Sequence, residues 1–178
     1  MDSRLRTAGL RYCIIGGIAL QRWGEPRTTL DVDVTVLTDF GAEAPVVKKL
    51  LQLFEPRIDD AEQFALENRI LLLKNAEVGL DISLGALPYE SEMMQRASDW
   101  ELGNGQLIRC CSAEDLVVQK AFADRDRDWA DIASILRRRP KGIDRGLVEQ
   151  ELATLLPLKP DNPIAARLST LFDKFPVD

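Results

Sequence analysis

The chain has 178 residues, of which 46% are hydrophobic, so it is long enough for one ordinary hydrophobic core. Its net charge of −6 argues against a broad surface that binds nucleic acid but is compatible with a local basic groove. No histidine is present, which excludes His-based triads and His metal ligands and leaves carboxylates, lysine, arginine and bound metal for any chemistry. Three cysteines without a CxxC pair indicate a reduced, cytoplasmic setting, and the charged opening and short apolar runs predict neither signal peptide nor membrane span.

Glycines and alternating apolar residues divide the first part of the chain into strands and helices. A short hydrophobic strand ends at Gly16 and Gly17, and the residues that follow have helical spacing until Gly24. The next strand alternates apolar and polar side chains, as a strand with one polar face does. In chain order, the predicted elements are a strand at 12–15, a helix at 18–23, a strand at 30–37, a helix at 44–54, strands at 69–73 and 78–84, a helix at 88–96 and a strand at 106–110.

From residue 112 onward the sequence predicts helices. Ser112 followed by acidic residues is typical of a capped helix start, and Asp144 marks a second such start. The mixed elements come first and the helices last, which indicates an α+β fold rather than a doubly wound parallel sheet. We expect residues 1–111 to form the mixed core and residues 112–178 to form a helical part of the same compact unit. In chain order, the predicted helices run over 113–123, about 128–138, 144–155 and 163–175.

Two acidic residues stand out on the second predicted strand. Asp31 and Asp33 are separated by one residue, so both side chains project from one face while Val32 faces the core. Asp81 has the same orientation on the strand at 78–84. Carboxylates this close repel each other unless a cation lies between them, and their hard oxygens favour Mg²⁺ or Mn²⁺. These residues predict a two-metal site for phosphoryl transfer, in which Asp81 also helps to deprotonate the nucleophile.

Three other residues are candidates for phosphate binding. Gly16 and Gly17 lie at a strand-to-helix turn, where backbone N–H groups can approach phosphates and the helix N-terminus adds positive charge. A glycine pair is also typical of a plain turn or of a close contact between a helix and a strand. Arg27 precedes the acidic strand and is placed either to contact phosphate or to pair with a carboxylate at the entrance of that strand.

A lysine and two aspartates in the helical part have alternative interpretations. Lys120 interrupts an apolar run, so it either extends to solvent or reaches a triphosphate as a point charge. Asp128 and Asp131 lie one helical turn apart. They either orient Lys120 or Arg127, or supply charge to a helix surface.

Several of these segments resemble a known superfamily. The order hG[GS], a spacer, Dh[DE]h and a later h[DE]h is the signature of the nucleotidyltransferase superfamily of DNA polymerase β. It is matched here by Ile15-Gly16-Gly17, Asp31-Val32-Asp33-Val34 and Leu80-Asp81-Ile82. Within that superfamily, roughly residues 10 to 138 are similar to the AbiEii/AbiGii-type abortive-infection toxins. The similar segments are GGIAL at 16–20, GEPRTTLDVD at 24–33, AEDL at 113–116 leading to Lys120, and RDWAD at 127–131.

The resemblance implies a fold and an activity. The fold would be polymerase β-like: a mixed, twisted sheet with helices on one face, a cleft on the other and C-terminal helices closing over it. The activity would be transfer of a nucleoside monophosphate from an NTP to a hydroxyl acceptor, with Mg²⁺ or Mn²⁺ as cofactor and pyrophosphate as product. The family's active-site lysine and aspartate correspond to Lys120 and Asp128, and the role of Asp131 is left open.

The acceptor and the partners are less defined by the resemblance. Transfer to tRNA, as some toxin relatives carry out, is the favoured macromolecular case. A small-molecule acceptor, in the manner of the antibiotic nucleotidyltransferases, and a protein acceptor stay open. The resemblance to toxins also implies an antitoxin-like partner.

Two other function classes match parts of the pattern. A protein that binds nucleotide or metal without turnover would act by docking a partner, as a toxin held by an antitoxin does. Three carboxylates facing one cleft argue against such a degenerate site. A glycosyltransferase can also use DxD to hold a nucleotide-sugar, but the glycine turn at 16–17 and the early position of the DxD motif disfavour it.

Overall fold

The structure is a computed structural model that describes residues 1–138 and 142–176. Every element predicted from the sequence is present, and its ends differ from the prediction by no more than two residues. The mixed part contains α1 (Asp2–Thr7), β1 (Tyr12–Ile14), α2 (Gly16–Trp23), β2 (Asp31–Leu37), α3 (Glu43–Leu53), β3 (Glu55–Pro56), α4 (Ala61–Asn68), β4 (Ile70–Asn75), β5 (Val78–Gly85), α5 (Pro88–Arg96), β6 (Ser98–Glu101) and β7 (Leu107–Cys110). The helical part contains α6 (Ala113–Ala123), α7 (Asp126–Arg138), α8 (Arg145–Leu155), a 3₁₀ turn (Leu156–Leu158) and α9 (Ile164–Lys174).

Four elements of the mixed part were not predicted, because each carries a weak pattern of its own, and the short 3₁₀ turn was not predicted either. Helix α1 buries one large side chain, Leu5, and α4 buries only the small residues Ala61 and Ala65. Strand β3 has two exposed residues, and β6 is mostly exposed and polar. These segments adopt their conformations through pairing and packing with the rest of the fold rather than through local periodicity.

Among the described residues, seven strands form one mixed sheet in the order β3-β4-β5-β2-β1-β7-β6. The pairs β2–β5 and β1–β7 are parallel, and the other neighbours are antiparallel. The predicted α+β fold with a mixed sheet is confirmed.

One face of the sheet forms the hydrophobic core with α1, α3 and α4. Alternate residues of β2 and β5 point into this core, so the side chains between them point to the opposite face. Full burial of such an aliphatic side chain contributes about 1.5–3 kcal/mol to folding. The residues that β1, β2, β4 and β5 contribute to this core are Tyr12, Ile14, Val34, Val36, Leu71, Leu73, Leu80, Ile82 and Leu84.

The chain divides into two compact units. The first comprises Met1–Ile18 and Thr28–Cys111 and contains the whole sheet. The second comprises Ala19–Arg27 and the described residues from Ser112 onward. Within the second unit, the N–H of Glu25 donates to Ser134 Oγ (3.1 Å) and Arg138 Nη1 donates to the Gly24 carbonyl (2.7 Å). These bonds attach the segment that follows α2 to helix α7.

Candidate active site

Three carboxylates of the first unit lie on the polar face of β2 and β5. In the parallel register of these strands, Asp33 pairs directly with Asp81, and Asp31 pairs with Gly79. Residues paired across a sheet share a face, so Asp33 and Asp81 project side by side, with Asp31 two residues along on the same face of β2. The side chains of Asp31 and Asp81 are 46% and 37% exposed. The orientation predicted for the three aspartates is confirmed.

The turn at Gly16 and Gly17 packs closely against β2 and the residues just before it. Gly16 has a φ of +59°, which favours glycine, and a Cβ there would overlap the carboxylate of Asp33. A Cβ on Gly17 would lie 2.6 Å from Thr29 Oγ1, and the N–H of Gly17 donates a long bond of 3.4 Å to Asp33 Oδ2. The close contact between the turn and the strand is therefore present, and phosphate binding by the same N–H groups stays a prediction.

Arg57 is a further charged residue of this site, and the sequence reasoning did not find it. Its Nη1 lies 3.5 Å from Asp31 Oδ1, and its Nη2 forms an ion pair with Asp81 Oδ1. The guanidinium thus contacts two of the three predicted metal ligands.

The position of Arg57 follows from the register of the sheet. Its N–H donates to the Leu72 carbonyl (3.0 Å), just beyond the short β3–β4 pairing. Leu72 pairs with Asp81, and Asp81 pairs with Asp33, so these residues form one row across the sheet. Because β3 has only two residues, the sequence around Arg57 carries no strand signal that could have placed it there.

The second unit contains a buried cluster of charges around Lys120, which we call the lysine cluster. Lys120 Nζ lies 3.2 Å from Asp128 Oδ1 and 2.6 Å from Asp131 Oδ2. Arg27 contacts Asp131 through two bonds of 3.0 and 3.1 Å, and Arg125 contacts Asp128. The interpretation that Lys120 extends to solvent is wrong, because two carboxylates of α7 hold the ammonium inside the unit.

The electrostatics of the lysine cluster keep the carboxylate of Asp131 charged. Burial raises the pKa of Asp131, but the hydrogen bonds and charges of Arg27 and Lys120 outweigh that effect and hold its pKa below the ordinary value. Arg27 therefore pairs with a carboxylate of α7. The contacts of the lysine cluster thus join three cations, Lys120, Arg27 and Arg125, to the two carboxylates of α7.

The donor set of the first unit suits a hard divalent ion. Asp31, Asp33 and Asp81 supply only carboxylate oxygens, which Mg²⁺ and Mn²⁺ prefer, and Gly79 has no side chain that would overlap the Asp31 carboxylate. In the part of the chain that the structure describes, no three acidic or thiol side chains already converge on one point. The aspartates fit a metal once the two that contact Arg57 turn away from its guanidinium.

Two solved structures align with most of this chain. An antigenic nucleotidyltransferase-like protein from Paracoccidioides brasiliensis aligns with a TM-score of 0.53 and 21% identity, over 97% of this chain and 88% of its own. The antibiotic-resistance factor ANT(2'')-Ia aligns with a TM-score of 0.49 and 16% identity, over 97% of this chain and 91% of its own. The first alignment shows a nucleotidyltransferase fold, as predicted.

The family follows from the sequence match. Residues 9–173 match the family model described as the nucleotidyl transferase AbiEii toxin of type IV toxin–antitoxin systems. The chain belongs to the AbiEii family. This AbiEii protein is thus a nucleotidyltransferase, which confirms the family and the enzyme class predicted from its motifs. No curated protein matches the sequence. Within the described ranges, no helix of this AbiEii protein is long and apolar enough to cross a bilayer.

Proposed function

We propose that this AbiEii protein transfers a nucleoside monophosphate from an NTP to a hydroxyl group of tRNA, with release of pyrophosphate and in a Mg²⁺- or Mn²⁺-dependent manner. The observation that carries the proposal is the direct pairing of Asp33 with Asp81 on parallel strands, with Asp31 on the same face. Such a group of carboxylates is a binding site for hard cations and suits in-line displacement at a phosphate.

The chain's own residues have separate tasks in this proposal. Asp31 and Asp33 hold the metal ions, and Asp81 completes the ligand set and accepts the proton of the attacking hydroxyl. The metal, when bound, polarises the phosphoryl oxygens and neutralises the charge that develops on them. Gly16 and Gly17 direct backbone N–H groups from the start of α2 toward the triphosphate.

The lysine cluster is proposed to bind the triphosphate, as the family resemblance implies for Lys120 and Asp128. The position of the Lys120 ammonium supports this role, because two carboxylates already hold it in place and the flexible side chain need not be ordered when an anion binds. Asp131 and Arg27 would then act as positioning residues for Lys120. The affinity of the Lys120→Met variant for the nucleotide, compared with that of the wild type, tests this assignment.

A basic cavity in the first unit favours an RNA acceptor over a small molecule. Arg6, Arg11 and Arg109 line a cavity of about 570 Å³ beside β1. Arg6 forms ion pairs with Asp2 and Asp99, whereas Arg11 donates to the Ser91 hydroxyl and Arg109 to the Met94 carbonyl, so the guanidiniums of Arg11 and Arg109 contact neutral acceptors. In a protein of net charge −6, such a local positive surface is suited to phosphates of a nucleic acid.

The test is a labelling experiment with each labelled NTP in turn. The protein is incubated with Mg²⁺ or Mn²⁺, total cellular RNA, cellular protein and small metabolites, and the label is measured in each fraction. We expect label on tRNA with the wild type and none with Asp33→Asn, because the substitution removes a charge from the metal site. Asp39→Asn, an exposed aspartate beyond the end of β2, is the matched control and should label normally.

Three results would contradict parts of the proposal. Equal labelling by Asp33→Asn would contradict the metal-dependent mechanism. Label on protein or on a small molecule that depends on Asp33 would keep the mechanism and replace the acceptor. Nucleotide binding without any label would favour a binding protein that acts by docking an antitoxin-like partner.

A further inference from the structure

Arg57 contacts the same carboxylates that the proposed metal ions require. Its guanidinium contacts Oδ1 of Asp31 and Oδ1 of Asp81, and it lies over the position where Gly79 has no side chain. A Cβ on Gly79 would lie 2.7 Å from Arg57 Nη1, so glycine leaves the space that the guanidinium occupies. The arginine therefore supplies the positive charge that adjacent carboxylates need.

We propose that Arg57 is a positioning residue that competes with the divalent metal ion for Asp31 and Asp81. In the metal-free protein it pairs with the two carboxylates, and a metal ion binds only when it displaces the guanidinium. This inference rests on the proposed metal-dependent transfer, and it adds a residue that the family motifs quoted above do not include.

Competition follows from the atoms involved. An oxygen that accepts a hydrogen bond from Arg57 must reorient or release it in order to coordinate a metal ion, because the two cations cannot occupy one position. The guanidinium also repels an approaching divalent ion as long as it stays beside the carboxylates.

Displacement of the guanidinium is possible without a change in the sheet. The backbone of Arg57 is fixed by its bond to the Leu72 carbonyl, whereas its side chain is long and has several rotatable bonds. The side chains of Arg57, Asp31 and Asp81 are 29%, 46% and 37% exposed, so water can replace the ion pairs as they break. The exposure also limits the strength of these pairs, which keeps them within reach of competition by a metal ion.

The experiment measures Mn²⁺ binding directly, through the electron paramagnetic resonance signal of free Mn²⁺. The proteins are the wild type, Arg57→Gln, Arg57→Lys and Lys48→Gln. Lys48 is an exposed residue of α3 on the core face of the sheet, so its variant controls for the loss of one charge. Asp33→Asn identifies the site, because Mn²⁺ bound there must depend on that carboxylate.

We expect Arg57→Gln to bind Mn²⁺ about tenfold more tightly than the wild type, which is an ordinary size for the coupling of two competing ligands. Arg57→Lys keeps the charge and should bind as the wild type does, and Lys48→Gln should be unchanged. Thermal denaturation gives a second readout. Without metal, Arg57→Gln should melt below the wild type, and saturating Mn²⁺ should raise its melting temperature more.

Equal or weaker Mn²⁺ binding by Arg57→Gln would overturn the proposal for Arg57, and it would leave metal-dependent transfer standing if the wild type binds Mn²⁺ through Asp33. Absence of Mn²⁺ binding in all variants would overturn both proposals. The proposal would also be overturned if Arg57→Lys bound Mn²⁺ as tightly as Arg57→Gln does. In that case the positive charge at residue 57 would not be what competes with the metal ion.

Discussion

Replacing Lys120 with methionine removes the cation that two buried carboxylates share. The lysine side chain is 6% exposed, and its Nζ contacts both Asp128 and Asp131. Removal of one partner from a buried ion pair costs about 3–5 kcal/mol, since the remaining charge is left buried. Arg125 and Arg27 still contact the two carboxylates, so we expect a loss of about 3 kcal/mol in the free energy of unfolding. Methionine has a similar length and should leave little empty space.

A loss of this size is measured by thermal denaturation followed by circular dichroism. In a chain of this length, each 1 kcal/mol lowers the melting temperature by about 2–4 °C, so Lys120→Met should melt about 6–12 °C below the wild type. Lys48→Met is the control, since Lys48 is exposed and makes one long contact of 3.9 Å. A change of less than about 2 °C in Lys120→Met would refute the assignment of a buried, shared charge.

The pH dependence of stability gives an independent check on the same cluster. The pKa of Asp131 is lowered by folding, so its contribution to stability is complete above its ordinary pKa, near pH 4, and is lost as the pH falls through the lowered pKa. Lys120→Met removes one cause of the lowering. The difference in unfolding free energy between wild type and variant should therefore narrow below about pH 4, and a constant difference down to about pH 2 would contradict this.

Two further substitutions separate the catalytic turn from ordinary structure. Gly16→Ala places a Cβ against the Asp33 carboxylate at a positive φ. We therefore expect the free energy of unfolding to fall by about 1–3 kcal/mol and nucleotidyl transfer to become much weaker. An unchanged melting temperature would show that the turn can relax. Asp144→Ala removes the acceptor of the Leu147 N–H (2.9 Å) at the start of α8 and should cost about 1 kcal/mol with normal transfer; loss of transfer in the labelling assay would mean that Asp144 does more than cap.

Features that depend on neighbouring residues could be predicted from the sequence. The alternation of β2 and β5 predicted which face carries the aspartates, and the observed register agrees. The helix that begins after Ser112 is capped as predicted, since the Ser112 hydroxyl accepts the N–H of Asp115 (3.0 Å). In each case, the deciding interactions lie within a few residues of one another.

Contacts between distant segments could not be predicted in the same way. The pair between Arg27 and Asp131 joins residues 104 positions apart, and nothing in either segment specifies the other. Lys120 lay in an apolar run that suggested extension to solvent. Lys120 is buried because two carboxylates of α7, Asp128 and Asp131, accept from its ammonium. Its burial therefore depends on how α6 and α7 cross, which a sequence pattern does not specify.

The candidate metal site combines both kinds of information. Asp31 and Asp33 are close in sequence, so their shared face could be predicted, whereas Asp81 and Arg57 come close to them only through strand pairing across the sheet. Arg57 contacts two of the three carboxylates, Asp31 and Asp81, and Asp33 is paired with Asp81 across the two strands. Carboxylates that share one face of a sheet repel each other unless a positive charge lies close to them, so this arrangement favours a cation-binding role.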